Sequence, residues 1–572
     1  MANKTADEAY GILARCRPYF VTVAIFSLAI NLLYLATPLY MLQMYDRVVP
    51  SSSIITLVML TIVLLAALLA LAVLDIVRAG VLARAGIRLD RLLSARIVTA
   101  VIDNAAAAGG ARSQPLRDAD TFRQYVTGAG IHAVFDLPWA PIYIAVIFML
   151  HPLLGGFALA CAFVLLAMAL LNERLVRPSL NDSNDAAGRN YSFTEMSLRN
   201  AEVVRAMGMV DGLLNRWRRD RNRMMERQLI ATDRGATISG LIRFLRLSMQ
   251  SLILGLGAYL VIEHVVTVGS MFAASILLGR ALQPVEQIVG SWRGMIAARD
   301  AFNRVRYLLL SAPIPPLHLA LPRPQGQVSV EQLSYLLPRT SRPLLHNVNF
   351  RIEPGESIGV IGPSGAGKST LARQLVGVLR PTAGAVRLDG ADVGTWQRSS
   401  LGQYIGYLPQ DVELFSDSVA ANIARFQQAE DEAVIEAARL AGVHDMILRL
   451  PDGYETWVGD GGAILSGGYR QRIALARAVF GMPSLIVLDE PSSNLDAEGD
   501  AALADCMLKL KKACITTITI SHRPATVAIV DKLLLLVDGR IEAFGPRAEV
   551  LARLNARAPI PIVAPSGARS GQ

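Results

Sequence analysis

Apolar and polar positions alternate on two different scales along this chain. As far as about residue 290, long apolar runs are separated by arginine-rich stretches; beyond residue 328, short apolar runs alternate with helical patterns. A bilayer core takes about 20 mostly apolar residues per helix. Six runs answer to that description, at 19–40, 54–74, 134–150, 153–171, 247–262 and 268–290. His151-Pro152 divides the third from the fourth, and Glu263-His264 the fifth from the sixth. Arg78, Arg84, Arg88, Arg91 and Arg96 follow the second run, and Arg205, Arg216, Arg218, Arg219, Arg221 and Arg223 lie between the fourth and fifth. Lys and Arg are retained on the cytoplasmic side, so the N-terminus, both of these loops and everything after Gly290 are expected there. Leu, Ala, Met and Arg dominate the two loops with few breakers, which predicts helices continuing out of the bilayer as long rods.

The prolines from Pro313 to Pro324 mark a linker, set at 311–327, between a membrane domain at 1–310 and an α/β domain at 328–563. The small, polar tail 564–572 is expected to be disordered. With 18% charged residues in 572, the chain is too apolar for an ordinary soluble protein. Its formal charge of +9 does not point to nucleic acid, because the arginines cluster between the apolar runs and not on one soluble face. Cys16, Cys161, Cys506 and Cys514 lack CxxC spacing and a neighbouring histidine set, so they read as packed or lipid-facing thiols. Lys4, Asp7 and Glu8 precede a first run with no small-residue cleavage site behind it, which predicts a retained anchor.

Candidate chemistry gathers in the second half. Gly362-Pro363-Ser364-Gly365-Ala366-Gly367-Lys368-Ser369, with Thr370 behind it, follows the apolar strand 357–361 and matches the phosphate-loop pattern. Its glycines let successive N–H groups turn onto phosphates at a helix N-terminus. Lys368 is expected to neutralise the β/γ-phosphates of ATP, and the Ser369 hydroxyl to coordinate Mg²⁺. A second strand, Leu485-Ile486-Val487-Leu488, delivers Asp489 and Glu490 to the edge where α/β sheets bind ligands. Asp489 is expected to hold Mg²⁺, directly or through water, and Glu490 to polarise the water that attacks the γ-phosphate.

Between these motifs stands Leu465-Ser466-Gly467-Gly468-Tyr469-Arg470-Gln471-Arg472, which resembles the signature of the ATP-binding-cassette family, with Tyr469 where most members have Gln. The resemblance implies that Ser466, Gly467 and Gly468 contact ATP held on a partner's phosphate loop, and hence a homodimer. Gln410 in Tyr407-Leu408-Pro409-Gln410 resembles the Q-loop residue, a Mg²⁺ ligand in that family. Ser493-Asn494-Leu495-Asp496 resembles the D-loop, and His522 the switch histidine that contacts the γ-phosphate. The family's adenine-stacking aromatic falls at Leu337, a departure; Tyr335, two residues earlier on the same strand face, is the candidate substitute.

Six spans fused ahead of one cassette resemble an exporter half. The stretch from Ile30 to Pro50, Phe135 to Ile142, His151 to Gly155, Ala201 to Met209 and Arg280 to Glu286 with Ser291 to Gly294 resemble type I secretion ATPases, the PrtD-type exporters in particular. This implies an α-helical six-span transmembrane domain of the ABC-exporter type fused to an α/β P-loop ATP-binding cassette. It further implies ATP-driven protein export across the bacterial inner membrane, with a periplasmic membrane-fusion protein, an outer-membrane channel and a substrate bearing a C-terminal signal, RTX proteins among them. Few residues precede the first run, so the peptidase-like domain of bacteriocin and haemolysin exporters is expected to be absent. Two alternatives stay open: a lipid or small-molecule exporter, and a nucleotide-gated channel or non-transporting ATP-binding regulator, against which Glu490 and His522 argue. In the sixth run Arg280, Gln283 and Gln287 recur at i, i+3 and i+7, with Glu286 nearby. Polar groups in a bilayer are costly unless they face protein or water. These four therefore line a hydrated path for an unfolded polypeptide or, alternatively, Arg280 snorkels to the headgroups and the others sit at the interface.

Overall fold

A computed structural model describes residues 8–108, 114–312, 321–337 and 343–557. The chain folds as two compact units, one before and one after the proline-rich segment. Residues 313–320 of the expected linker and the tail 564–572 lie outside the described residues.

The first unit is helical, and six of its helical segments are long and apolar enough to cross a membrane. The first is α1 (Arg17–Leu33), extended through Ala36–Gln43 and a π-helical turn at Met44–Val48. Then come α2 (Ile54–Ala108), α3 (Ala140–Leu150), α4 (Pro152–Arg199), α5 (Val210–Ile262) and α6 (Val268–Gly290), with α7 (Trp292–Ser311) closing the unit. At 1.5 Å per residue, the 55 residues of α2 span about 80 Å, against a hydrocarbon core of about 30 Å. The apolar run sets only one end of such a helix, because the charged residues beyond Leu74 are good helix formers and nothing stops them. Apolar side chains such as Ile54, Ile55 and Val63 stay exposed on α2, while Leu154, Leu165, Ile242, Ile253, Leu277 and Leu278 pack a core between α4, α5 and α6.

One corner shows how tightly the spans are joined. Thr267 caps α6 by accepting the Ser270 N–H at 3.1 Å, and Asp46 in the π-turn adds a second cap, accepting the Gly269 N–H at 3.0 Å and the Thr267 hydroxyl at 2.7 Å. Free N–H groups at a helix start are thus met by a carboxylate, which the helix dipole favours. Tyr45 stacks on Phe272 at 4.6 Å beside this clasp. A Cβ on Gly269 would stand 2.7 Å from both Asp46 Oδ1 and the Leu42 carbonyl.

The second unit has two sheets. Antiparallel β1 (Val328–Leu336), β2 (Pro343–Ile352), β4 (Ala383–Leu388) and β5 (Ala391–Asp392) run in the order β2-β1-β4-β5. The larger sheet contains β3 (Ser357–Ile361), β6 (Ile405–Leu408), β7 (Leu485–Asp489), β8 (Thr516–Ile520), β9 (Lys532–Val537) and β10 (Arg540–Pro546), ordered β10-β9-β3-β8-β7-β6. Its pairs are parallel except β9 with β10. Every residue of β7 and β8 is buried, which is why these strands read as continuous apolar or Thr-Ile runs and not as alternating ones. The stretch 321–327, assigned to the linker from sequence, packs on this unit: the Ser484 hydroxyl donates to the Pro324 carbonyl at 2.7 Å, and the Thr516 hydroxyl to that of Gly326 at 2.7 Å. The Gln327 N–H donates to Asp389 at 2.8 Å.

Gly269→Ala is expected to destabilise the first unit by about 1–3 kcal/mol, the range for overpacking a tight contact, because the added methyl must push Asp46 off the α6 cap. Reversible unfolding of the detergent-solubilised protein, compared with Gly255→Ala, where a Cβ meets nothing within 4 Å, checks this.

Candidate functional site

The phosphate loop leaves β3 at Ile361 and enters α8 (Lys368–Leu375). Gly365 and Gly367 have φ of 79° and 97°, a region open to glycine at little cost. At Gly362 a Cβ would stand 2.0 Å from the Leu536 carbonyl oxygen, so no other residue fits. The turn exposes the N-terminus of α8, a ready anion site. Lys368 is buried, and its ammonium donates to the carbonyls of Gly362 and Pro363 at 2.8 and 2.9 Å. Burial pulls its pKa below the usual lysine range, opposed by the charges of Glu490 and Asp489.

The end of β7 brings the two carboxylates to this loop. Asp489 is 1% exposed and lies beside Ser369, yet its Oδ1 has no hydrogen-bond partner among the described residues. Burial raises its pKa above the ordinary carboxylate value; Ser369 opposes the rise and Glu490 adds to it. Glu490 takes a left-handed φ of 51°. Its Oε2 accepts from Gln410 at 3.5 Å, and its Oε1 lies 4.0 Å from His522 Nε2. Lys368, Ser369, Gln410, Asp489, Glu490 and His522, scattered over 155 positions in sequence, thus form one connected cluster. Tyr335 is half-buried against the core of the smaller sheet and pairs in register with Leu345, the residue whose Cδ2 a Cβ on Gly367 would meet at 2.9 Å. That puts it one strand pair away from the loop.

Ser466, Gly467 and Gly468 open α9 (Gly467–Val479), where the Ser466 hydroxyl caps the helix by accepting the Tyr469 N–H at 3.5 Å. These residues do not join the cluster above; Cβ atoms at 467 and 468 would meet Asn494 at 3.5 and 3.3 Å. Tyr469, in place of the family's Gln, packs its ring against the neighbouring core. Asp496 caps α10 (Ala497–Lys512) by accepting the Gly499 N–H at 2.8 Å and pairs with Arg472 at 3.0 Å. The Gly499 bond, with Arg472 assisting, holds the Asp496 carboxyl below its ordinary pKa. Arg472 and its neighbour Gln471 are both buried polar side chains to which sequence reading gave no role.

In the first unit Arg280, Gln283 and Gln287 line a cavity of about 400 Å³ together with Tyr34, Arg78 and Asp136. Arg280 lies over the Tyr34 ring at 3.8 Å and donates to Gln283 at 3.3 Å. Glu286 faces elsewhere, pairing with Arg246 at 2.5 Å and Arg243 at 3.8 Å. With about 100° per residue, positions 280, 283 and 287 fall within about 60° of one another, while 286 points about 120° off Arg280. The grouping of four therefore reduces to three. Across the cavity, buried Arg78 bridges Asp75 at 2.7 Å and Asp136 at 3.1 Å. Asn31 donates to Asp136 at 2.9 Å and accepts from the Tyr143 hydroxyl at 2.8 Å. This network also escaped sequence reading, although a lone Asn, Asp or Arg beside an apolar run carries the signal of an expensive group needing a partner.

Comparison with known proteins agrees with both halves. The "ABC transporter" family profile matches residues 345–493, and "ABC transporter transmembrane region" matches 20–285. The type I secretion system ATP-binding protein PrsD of Rhizobium meliloti is 41% identical over 555 residues, covering 96% of this chain and 95% of that protein. This chain belongs to the type I secretion family of ABC transporters. It is an ATP-binding, multi-pass inner-membrane ATPase whose family drives protein export. The alpha-hemolysin translocation ATP-binding protein HlyB of Escherichia coli is 29% identical, over 94% of this chain and 77% of that one. A bacterial Atm1-family ABC exporter solved with ATP bound shares the fold, with a TM-score of 0.82 at 22% identity, over 94% of this chain and 97% of the other.

Asp489 offers a test of the site's electrostatics. A raised folded-state pKa means that its contribution to stability is present below the unfolded-state pKa and lost as pH rises past the folded one. Without nucleotide or divalent cation, the ionised form of this carboxylate is therefore the destabilising one. Asp489→Asn is expected to raise the Tm of the protein in EDTA at pH 7, with the gain shrinking as pH falls, as thermal unfolding across pH 4–8 would reveal.

Proposed function

We propose that this protein is the homodimeric inner-membrane motor of a type I secretion apparatus. Its N-terminus and C-terminus are cytoplasmic, and it works with a periplasmic membrane-fusion protein and an outer-membrane channel to export a polypeptide carrying a C-terminal signal. The observation that carries the dimer is the separation of the site into two faces. One holds the phosphate loop and Asp489 with Glu490, to which Gln410 and His522 are joined; the other, Ser466-Gly467-Gly468, opens a separate helix beside Asn494. A nucleotide seated on the first face of one copy completes its shell with the second face of the other copy.

In this reading the loop 362–370 wraps the phosphates with backbone N–H groups, Lys368 offsets the β/γ charge, and Tyr335 stacks on adenine. The orphaned Oδ1 of buried Asp489, beside the Ser369 hydroxyl, fits a hard cation. Ser369, Asp489 and Gln410 would hold Mg²⁺, which supplies charge neutralisation on the β/γ oxygens. Glu490 polarises the attacking water, while His522 holds the γ-phosphate. Asp496 joins the signature residues at the closed interface. The cavity bearing Arg280, Gln283 and Gln287 is the path of the unfolded substrate, a polar lining that tolerates varied side chains.

Glu490→Gln should lower ATP turnover by about 10²–10⁴-fold, the usual worth of a general base, while ATP binding persists. Turnover close to wild type would remove Glu490 from this role. For the path, Arg280→Leu with Gln283→Leu is expected to cut secreted protein per ATP hydrolysed at least about ten-fold, since the lining would lose its hydration. An unchanged ratio, read by mass spectrometry of secreted protein beside vesicle ATPase, would remove this cavity from the path.

A further inference from the structure

The helix that carries the signature is fastened to the loop that follows the candidate general base. Gln471, 1% exposed, donates its Nε2–H to the Pro491 carbonyl at 3.0 Å. One residue on, Arg472 pairs with Asp496 at 3.0 Å and with Glu498 at 3.6 Å, and a Cβ on either glycine at the start of α9 would come within 3.5 Å of Asn494. Every fastening runs within one chain, and together they hold the segment 491–498 against α9.

That segment begins beside a strained residue. Glu490 sits at φ 51°, where a side chain is uncommon and persists only when its surroundings over-determine it. Its N–H donates to the Ile520 carbonyl at 2.9 Å, and its carbonyl accepts the Ser493 N–H at 3.1 Å. The next carbonyl, Pro491, takes its bond from Gln471. Proline has no N–H of its own, so this carbonyl is the one backbone group of Pro491 that can be gripped. The Gln471 amide is used for its donor alone, because its Oε1 is buried with no hydrogen-bond partner among the described residues. Leaving a buried acceptor unpaired is destabilising, and an apolar side chain of equal length would avoid that. An amide at this point is therefore explained by what its N–H holds and not by packing.

We propose that Gln471 is a positioning residue for Glu490. It fixes the backbone from which the carboxylate projects, so that the signature helix of each chain governs the attack geometry in that chain's own phosphate site. This rests on the two-copy reading above, in which the N-terminus of the same helix meets nucleotide bound to the other copy. Hydrolysis at one site then senses occupancy of the other through this helix, with Gln471 as its link to the backbone beside Glu490.

The experiment uses the full-length protein in lipid nanodiscs. Gln471→Met keeps the length of the side chain and removes the donor; Gln471→Glu sets a carboxylate against the carbonyl. Both are expected to lower kcat at least ten-fold per bound nucleotide, with KM for ATP changed less than two-fold. An unchanged kcat, or a change in KM alone, overturns the proposal. In a Glu490→Gln background, Gln471→Met is expected to leave ATP affinity and ATP-driven closure of the dimer unaltered, since its effect passes through Glu490. Weakened affinity or closure there would make Gln471 part of the nucleotide contact and also overturn the proposal. If the Glu490→Gln protein itself never closes with ATP, the two-copy reading falls, and this inference with it.

Discussion

At Gly362 the main chain passes so close to the Leu536 carbonyl that a single methyl would stand 2.0 Å from it. This contact, between the residue after β3 and the C-terminal end of β9, gives the phosphate loop its shape. The loop then has no freedom except to turn its N–H groups toward the start of α8, and Lys368 is drawn back over it to the carbonyls of Gly362 and Pro363. With the loop fixed, a buried lysine and a buried aspartate face the same small volume, each shifted from its ordinary pKa chiefly by burial. An apo site of this kind stores unfavourable electrostatics that phosphate and cation relieve. Binding of ATP is in that sense built into the parallel sheet, whose strand ends leave the carboxylates nowhere else to go.

The membrane unit obeys the same rule with different residues. Arg78 is buried among helices that expose Ile, Leu and Val on their other faces, and its charge is met by Asp75 and Asp136. Removing one partner of such a set strands the others, at a cost of several kcal/mol. The network joins α1, α2, the short helix Ala129–Asp136 and α3 through Ser27, Asn31, Arg78, Asp136 and Tyr143. A polar cavity therefore sits beside a rigid frame, and Arg280, held over the Tyr34 ring, is the cation of that cavity without a carboxylate partner among the described residues.

Much of the cassette was legible because its chemistry is written in contiguous stretches. A run of glycines before Lys368 specifies backbone angles directly, and four apolar residues before Asp489 specify a buried strand. The six spans were legible as composition, but their lengths were not: hydrophobicity stops near Leu74 while the helix runs to Ala108, since helix propensity continues where apolarity ends. The 321–327 stretch read as linker because it holds two prolines, yet its carbonyls are taken up by Ser484 and Thr516, residues too far along the chain for any local pattern to announce. Glu286 was grouped with Arg280 by nearness in sequence, and the helical rotation separates them. Asn31 with Asp136, 105 positions apart, and Gln471 with Pro491, 20 apart, are contacts made only by tertiary packing.

The central claim is that nucleotide is clamped between two copies of this chain, and a distance between those copies tests it most directly. A spin label introduced by Ile464→Cys, exposed beside the signature, reports that distance by pulsed electron resonance in nanodiscs, with Glu490→Gln present to prevent turnover and Cys514→Ser to remove the exposed thiol. The account predicts a broad distribution without nucleotide that collapses to one short, narrow distance with Mg-ATP. A distribution unchanged by ATP, or no inter-copy signal at all, would contradict it.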